Sequence, residues 1–366
     1  MSKSTVRFLS SCALVAVIAA SAALAQGGAP TAPPARDGGP AGAPGQGPAA
    51  AQPGGGRPGG PPAAPQAPPL TPAAIERAKQ ILAATRQALG GERLAAIKSV
   101  VASGRAKRVR GNNLVPIEFE LSIELPDKYL RKDESPAEET DPTSTGFNGD
   151  QLIQLPAPVA PPARAGGPPA PTPAQLDGQR KARVLTIKQD FVRFALGIFA
   201  DSFTTYPLTF GFAAQAEAPQ GKADVLDVRG AGNFAMKLLI NSQTRQPIMV
   251  SWMLPPTNVI VTVPGQAAPL TVAPGAVVVP GPAAPPASAP QAEKDQYTKD
   301  VLAIRQKAQA TPVEHRLYFA DYRDVDGVQM PFRLRRAIGT DTTEETTFDR
   351  FRINTKIDPH KFEPVK

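Results

Sequence analysis

The stretch Leu114–Leu125 constrains the fold more than any other part of the chain, because its side chains alternate in polarity without a break from Ile117 onward. The apolar set is Ile117, Phe119, Leu121, Ile123 and Leu125, and the polar set is Glu118, Glu120, Ser122 and Glu124. A period of two is that of a β-strand, and one wholly polar side predicts an antiparallel strand with that side in water.

Other segments repeat this period, and turn signals separate them. The strongest turn signal is Asp326-Gly327, a dipeptide typical of two-residue hairpins. The regular alternation of strands and helices that builds a parallel sheet is missing. Strands are predicted over Ser99–Arg110, Leu114–Leu125, Tyr129–Asp133, Gly146–Leu155, Tyr206–Gln215, Val225–Arg229, Phe234–Ile240, Pro247–Met253, Val313–Asp324, Val328–Ile338 and Thr342–Ile353.

Three segments have helical periodicity instead. Thr71 and Pro72 suit the cap and first position of a helix that Gly90 ends. Gln179–Ala200 has apolar residues at spacings of three and four, and Asp295–Gln309 is a shorter candidate. The basic residues of the second helix are expected on its remaining surface: Lys181, Arg183, Lys188 and Arg193. The predicted class is α+β, a curved antiparallel sheet with two or three helices against it.

The first 25 residues have the three parts of a secretory leader. Lys3 and Arg7 form a basic start, Ala13–Ala23 is a short apolar run, and an A-x-A pattern predicts cleavage after Ala25. The chain is therefore predicted to be exported. Its only cysteine, Cys12, lies in the leader, so the mature chain is predicted to have no thiol chemistry.

Segments rich in proline, glycine and alanine divide the rest of the chain. The chain has 43 Pro and 31 Gly among 366 residues, and such segments lack the apolar area to offset their conformational entropy. Residues 26–70 are predicted to be a disordered tether, and low-complexity inserts are predicted near 156–178 and 255–292. Residues 71–366 are the predicted folded domain.

Few groups in the sequence are suited to catalysis. His315 alternates with Leu317 and Phe319, which predicts a packed, half-buried histidine, and His360 falls in a C-terminal turn. The sequence shows no nucleophile–base pair, so the chain is predicted not to be an enzyme, and no cofactor or metal site is predicted. Acidic and basic residues interleave after Val313, which indicates a solvated sheet surface and not a nucleic-acid-binding face.

The strand after Asp326-Gly327 has two different faces. Its apolar face is Val328, Met330, Phe332 and Leu334, and its opposite face carries Arg333 and Arg335. Pro331 predicts a sheet edge or a bulge, because proline has no N–H to donate to a neighbouring strand. Arg336 breaks the pattern, since it falls on the apolar face near the end of the strand.

Several motifs resemble those of a known family. They are Ala88-Leu89-Gly90-Gly91, Leu94–Val100, Gly149-Asp150, Phe319–Pro331, Ile353–Asp358 and Phe362-Glu363-Pro364. Over Pro72–Pro364 they resemble the LolA/LolB-like superfamily of lipoprotein-sorting carriers of the Gram-negative periplasm, above all its divergent members. The resemblance implies an unclosed antiparallel half-barrel, helices that cover its concave face, and an apolar cavity that holds acyl chains.

The resemblance and the predicted export favour a periplasmic carrier whose partners are lipid or lipoprotein acyl chains, with peripheral contact with the membrane. The predicted lining is Phe119, Leu121, Ile123, Met330, Phe332 and Leu334, although each of these residues also suits an ordinary core. The alternative is an envelope signalling sensor or scaffold on the same fold, whose Pro-rich segments bind a protein partner. An empty groove under the helices favours the carrier, and a filled one favours the scaffold.

Overall fold

The computed structural model describes residues 68–111, 113–136, 140–157, 171–218, 221–265 and 272–363. The predicted leader, residues 1–25, lies outside these ranges, as do residues 26–67 of the predicted tether. Residues 158–170 and 266–271 of the two predicted inserts also lie outside them.

The described residues contain four α-helices, one short 3-10 helix and fourteen strands. The helices are α1 (Pro72–Leu89), α2 (Glu92–Ala95), α3 (Pro173–Phe199) and α4 (Gln291–Gln309), with the 3-10 helix at Pro359–Phe362. The strands are β1 (Ser99–Arg110), β2 (Asn113–Glu124), β3 (Lys128–Glu134), β4 (Thr143–Asn148), β5 (Gln151–Leu155), β6 (Thr209–Ala218), β7 (Gly221–Gly230), β8 (Phe234–Asn241), β9 (Pro247–Leu254), β10 (Asn258–Thr262), β11 (Ala276–Pro280), β12 (Val313–Val325), β13 (Val328–Ile338) and β14 (Asp341–Ile353).

Twelve of these strands form one curved sheet. Their order is β5-β4-β3-β2-β1-β14-β13-β12-β9-β8-β7-β6, and neighbouring strands run antiparallel. The first and last strands of this order are the two edges, so the sheet is an open half-barrel. The predicted α+β class and the unclosed half-barrel are confirmed.

Two long helices lie on the apolar face of this sheet, which we call the inner face. α1 contacts β6 and β13, and α3 contacts β4, β5, β9, β12 and β13. Thr71 caps α1 as predicted, because its Oγ1 accepts a hydrogen bond from the N–H of Ala74 at 3.2 Å. α4 packs instead on a separate two-stranded parallel sheet formed by β10 and β11, within the region predicted as the insert near 255–292.

Two element boundaries differ from the prediction for local reasons. The sequence predicts one strand over Gly146–Leu155, but Gly149 has a positive φ of 57° and turns the chain between β4 and β5. The sequence also predicts that the second helix begins at Gln179. The helix begins six residues earlier, at Pro173, because Thr172 and Gln175 form a capping box.

The turn at Asp326-Gly327 joins β12 to β13 as predicted. Both residues have positive φ, 54° and 82°, which is what a type I′ hairpin turn requires. β13 lies inside the sheet, so the edge position predicted from Pro331 is wrong for the strand as a whole. The ladder to β14 begins only at Arg333, however, and at Pro331 the strand pairs with β12 alone.

Candidate functional site

The C-terminal end of α3 is buried on every side. Each residue from Phe191 to Ala200 is buried, and Arg193 is the charged exception in this apolar run. A helix that is apolar all round is typically buried all round, whereas the first half of α3 is exposed except around Val184. This buried segment, Phe191–Ala200, occupies the space on the inner face that a ligand would need.

Aromatic side chains pack this segment against the sheet. The ring of Phe191 lies 5.1 Å from that of Tyr129 and 5.6 Å from that of Phe147, and the ring of Phe194 lies 6.1 Å from that of Phe348. Such pairs add to the stability gained from apolar burial. Burial among these rings raises the pKa of the Tyr129 hydroxyl to about 12, although the charge of Arg131 opposes the shift.

Gly197 brings the backbone of α3 directly onto β12. A Cβ at this position would lie 2.1 Å from the ring of Phe319, so the close approach requires glycine. Tyr322 donates its hydroxyl to the carbonyl of Gly197 at 2.8 Å, with the carbonyl of Pro247 3.1 Å away. The space between helix and sheet is therefore filled at this point.

The six residues predicted to line a cavity lie together on the inner face, within one apolar core. Phe119, Leu121, Ile123, Met330 and Phe332 are buried, and Leu334 is half-buried against the same core. The ring of Phe119 meets Phe348 edge-on at 5.3 Å, and Phe332 meets Phe351 at 5.1 Å. The structure brings the six side chains together, and their role in binding a ligand stays a prediction.

One end of the inner face carries two guanidinium groups and two carboxylates that pair with one another, while Nη2 of Arg131 is buried without a hydrogen-bond partner among the described residues. Arg108 donates Nε to Glu344 at 2.5 Å and Nη2 to Asp133 at 3.1 Å. Arg131 donates Nε to Asp133 at 2.6 Å, and its Nη1 lies 3.5 Å from Glu344. We call Arg108, Arg131, Asp133 and Glu344 the carboxylate cluster.

The electrostatics of the carboxylate cluster follow from this pairing. Burial alone would raise the pKa of Glu344, but the charges of Arg131 and Arg108 outweigh it and lower that pKa to about 2. Burial would likewise lower the pKa of Arg131, and the carboxylates of Glu344 and Asp133 hold it above its ordinary value instead. The cluster is therefore a set of mutually stabilised charges at neutral pH.

Three planar side chains form a second polar group at the same end of the inner face. The guanidinium of Arg193 lies 4.4 Å from the Trp252 ring, and that ring stacks on His315 at 5.6 Å. Nε of Arg193, Nε1 of Trp252 and Nε2 of His315 are buried and have no hydrogen-bond partner among the described residues. We call Arg193, Trp252 and His315 the stacked cluster.

Arg336 lies between the two clusters. It is half-buried on the inner face, as the alternation along its strand predicts. In register it is opposite Glu344 on β14 and Leu317 on β12. Burial lowers the pKa of Arg193 and of His315; the carboxylate of Asp190 opposes this shift, and the positive charge of Arg336 adds to it. Two guanidinium groups, those of Arg193 and Arg336, therefore face one nearby carboxylate at the stacked cluster.

Two basic residues of α3 lie where the sequence interpretation did not put them. Lys188 and Arg193 are predicted on the exposed surface of the helix, and both are buried. Nζ of Lys188 reaches the carboxylate of Asp150 at 2.6 Å, and Nη1 of Arg193 reaches Asp190 at 2.7 Å. The signal that identifies Arg193 is its place as the one charge in the apolar run Phe191–Ala200.

Other parts of the described chain offer less to an apolar ligand. A pocket of about 460 Å³ lies beside Glu118, Glu120, Lys132 and Lys361, whose charged side chains do not suit an acyl chain. In the residues that the structure describes, no three His, Cys, Asp or Glu side chains are grouped to hold a metal ion. The described helices also include none with the length and apolarity to span a membrane.

Comparisons with known proteins find likenesses in structure alone. No protein-family model and no curated protein matches the chain. A domain from Vibrio parahaemolyticus, provisionally named that of an outer membrane lipoprotein-sorting protein, is 10% identical with a TM-score of 0.38, over 78% of this chain and 94% of that one. A LolA superfamily protein from Nitrosomonas europaea is 10% identical with a TM-score of 0.39, over 78% and 96%.

A DUF1329 family protein from Desulfovibrio piger is 6% identical with a TM-score of 0.36, over 79% of this chain and 97% of that one. The superfamily that the sequence resembles is thus among the structures found. At TM-scores below 0.5 these likenesses do not show what this chain binds, and the chemistry of the site comes from its own residues.

Proposed function

We propose that this chain is an exported periplasmic carrier that holds acyl chains of lipids or lipoproteins on its inner face and catalyses no reaction. The observation that supports this best is the apolar inner face of a sheet that is not closed. The buried segment Phe191–Ala200 fills that face, so in this proposal the segment shifts to uncover an apolar surface for the ligand. The six predicted lining residues belong to the same apolar core as this segment.

An acyl chain would replace side chains of α3 instead of entering an empty hole, because Gly197 lies directly on Phe319. Burying ten methylene groups stabilises a complex by on the order of 8 kcal/mol before the entropy of ordering is subtracted. A gain of this size can offset the loss of the aromatic contacts of Phe191 and Phe194. Ligand binding and movement of α3 are therefore coupled in this proposal.

Polar contacts at the end of α3 hold the closed form. Tyr322 donates to the carbonyl of Gly197 at 2.8 Å, and Arg86 of α1 donates to the carbonyl of Ala200 at 3.3 Å. Nη1 of Arg86 also lies 3.6 Å from Asp201. Weakening these contacts should ease the movement that admits a ligand.

The test combines lipid analysis with a change at Tyr322. We expect mass spectrometry of the purified chain to find bound lipid, and we expect the chain to take up a fluorescent fatty acid. Tyr322→Phe removes one hydrogen bond worth about 1 kcal/mol, so uptake should be roughly fivefold faster. Tyr318→Phe is the matched control, because Tyr318 lies on the same strand but packs under Arg335. Absence of bound lipid together with absence of uptake would overturn the proposal.

The filled contact at Gly197 favours a second function, an envelope sensor or scaffold whose core stays closed. Its Pro-rich segments would bind a protein partner, since extended proline-rich chain is readily bound in grooves of other proteins. Crosslinking in cells separates the two functions. Recovery of diverse lipoproteins supports the carrier, whereas one protein partner captured regardless of lipid supports the scaffold.

A further inference from the structure

The stacked cluster contains buried hydrogen-bonding groups that have no partner among the described residues. Nε of Arg193 and Nε1 of Trp252 are both N–H donors, and Nε2 of His315 is a donor or an acceptor according to its tautomer. A buried polar group without a partner costs about 1–3 kcal/mol of stability. Three such atoms in one stack of rings indicate a place where a ligand completes the bonding.

The missing partner should be negatively charged. Among the described residues, Arg193 pairs with one carboxylate, that of Asp190, which is half exposed, and Arg336 adds positive charge nearby. The planar guanidinium suits the oxygen atoms of a carboxylate or a phosphate, and hydrogen bonds to charged groups are the strong ones. An anion would accept from Arg193 and Trp252 together.

The position of the cluster matches the end of an acyl chain on the inner face. His315 alternates along β12 with Leu317 and Phe319, both fully buried, and Trp252 alternates along β9 with the buried Val250. An acyl chain lying along Phe319 and Leu317 would end at His315. A shift of α3 that admits this chain would also open the stack between Arg193 and Trp252.

We propose that Arg193, Trp252 and His315 bind an anionic group, a carboxylate or a phosphate, and that this group is the head of the acyl ligand. The acyl part of this inference rests on the proposed carrier function. The anion site itself does not, because it follows from the unpartnered atoms and the charge around them.

The chain provides its own reporter for the test. Trp252 is the only tryptophan in the 366 residues, so tryptophan emission of the purified full chain reports on the stacked cluster alone. Four probes are titrated separately: dodecanoate, methyl dodecanoate, dodecyl phosphate and inorganic phosphate. We expect saturable changes with both charged lipids, and an affinity at least about tenfold higher than for the methyl ester, because the ester has lost the charge that Arg193 binds.

Arg193→Met should abolish this preference, so that dodecanoate and its methyl ester bind with similar affinity. Arg183→Met is the matched control, because Arg183 lies on the exposed surface of the same helix and should keep the full preference. Should Arg193→Met not fold, His315→Phe keeps the stack and removes one of the three nitrogens, and it should reduce the preference severalfold.

The outcomes separate this inference from the carrier function. Equal affinity for dodecanoate and its methyl ester overturns the anion site and leaves the carrier standing. Saturable, Arg193-dependent binding of inorganic phosphate without any lipid binding keeps the anion site and overturns the acyl head and the carrier. Binding of none of the four probes overturns both, and a preference that Arg193→Met leaves intact also overturns the anion site.

Discussion

The carboxylate cluster and the stacked cluster lie at the same end of the inner face, and they differ in how far their positive charges are balanced by carboxylates. In the first, Glu344 accepts from Arg108 at 2.5 Å and lies within 3.5 Å of Arg131. In the second, Arg193 stacks on Trp252 while nitrogen atoms of both residues have no partner among the described residues.

This difference separates structural charge from charge that is open to a ligand. Each guanidinium of the carboxylate cluster meets two carboxylates, and one nitrogen, Nη2 of Arg131, has no partner among the described residues, whereas three nitrogens of the stacked cluster have none. Buried polar groups in native proteins are nearly always satisfied, so the better-paired cluster is explained mainly by the fold. Unsatisfied buried groups are more often found where a protein binds something. We therefore expect changes in the carboxylate cluster to affect stability, and changes in the stacked cluster to affect binding.

The largest expected effect is that of Glu344→Ala on stability. The change removes one of the two carboxylates that Arg108 and Arg131 share and leaves Asp133 alone to balance both, and breaking a buried pair in this way costs about 3–5 kcal/mol. Urea unfolding of the wild type and the variant measures the loss. Arg193→Met is the comparison, because it removes a charge that burial already disfavours, and its effect should stay within about 1 kcal/mol. Equal losses in the two variants would erase the distinction between the clusters.

The loss of stability in acid should also identify the carboxylate cluster as the structural one. The folded pKa of Glu344 is about 2, below the ordinary 4.5, so the unfolded chain binds this proton first as the pH falls. The contribution is present above pH 4.5 and is lost as the pH falls towards 2. This difference between the folded and the ordinary pKa corresponds to roughly 3 kcal/mol of unfolding free energy. Unfolding free energies at several pH values measure it, and Glu344→Gln should flatten this part of the curve; an unchanged slope would contradict the pairing.

Much of the fold could be predicted because its signals are local. The alternation around Phe119 identified β2, and Asp326-Gly327 identified a hairpin whose turn has the two positive φ angles that the dipeptide favours. The turn at Gly149 was missed, because one glycine within a β-like segment does not show whether the strand bends or ends. The start of α3 was missed because the segment before Gln179 is polar and has no apolar stripe.

The sequence predicted which strand residues share the inner face, but it did not predict that Arg193 of α3 is buried there. Period two placed the predicted lining residues on one face, and it placed Arg336 on that face as well. The burial of Arg193 depends on what surrounds the end of α3, and the contacts of α3 with β4 and β5 on one side and β9 on the other appear only in the fold. Helical periodicity assigns one buried stripe and cannot show that a helix end is enclosed.

The smallest expected effect concerns the titration of His315, and it distinguishes the clusters by the pH at which each responds. Burial lowers the pKa of His315, Arg193 and Arg336 lower it further, and Asp190 opposes them. The unfolded chain therefore binds the proton first, so stability is highest above pH 6.5 and decreases as the pH falls below it. Because the imidazole is only partly buried, we expect a small slope between pH 5 and 7.

His315→Phe should remove that slope, since phenylalanine keeps the stack on Trp252 without titrating. The chain has one other histidine, His360, whose pKa is raised by its hydrogen bond to Glu363. Its contribution has the opposite sign, present below pH 6.5 and lost as the pH rises, so His360→Asn should steepen the decrease towards acid. Urea midpoints from pH 5 to 8 measure both variants. If His315→Phe leaves the pH dependence of stability unchanged, the stacked cluster does not respond to protons. If adding dodecanoate to the wild type makes that pH dependence weaker, the negative charge of the ligand lies beside His315.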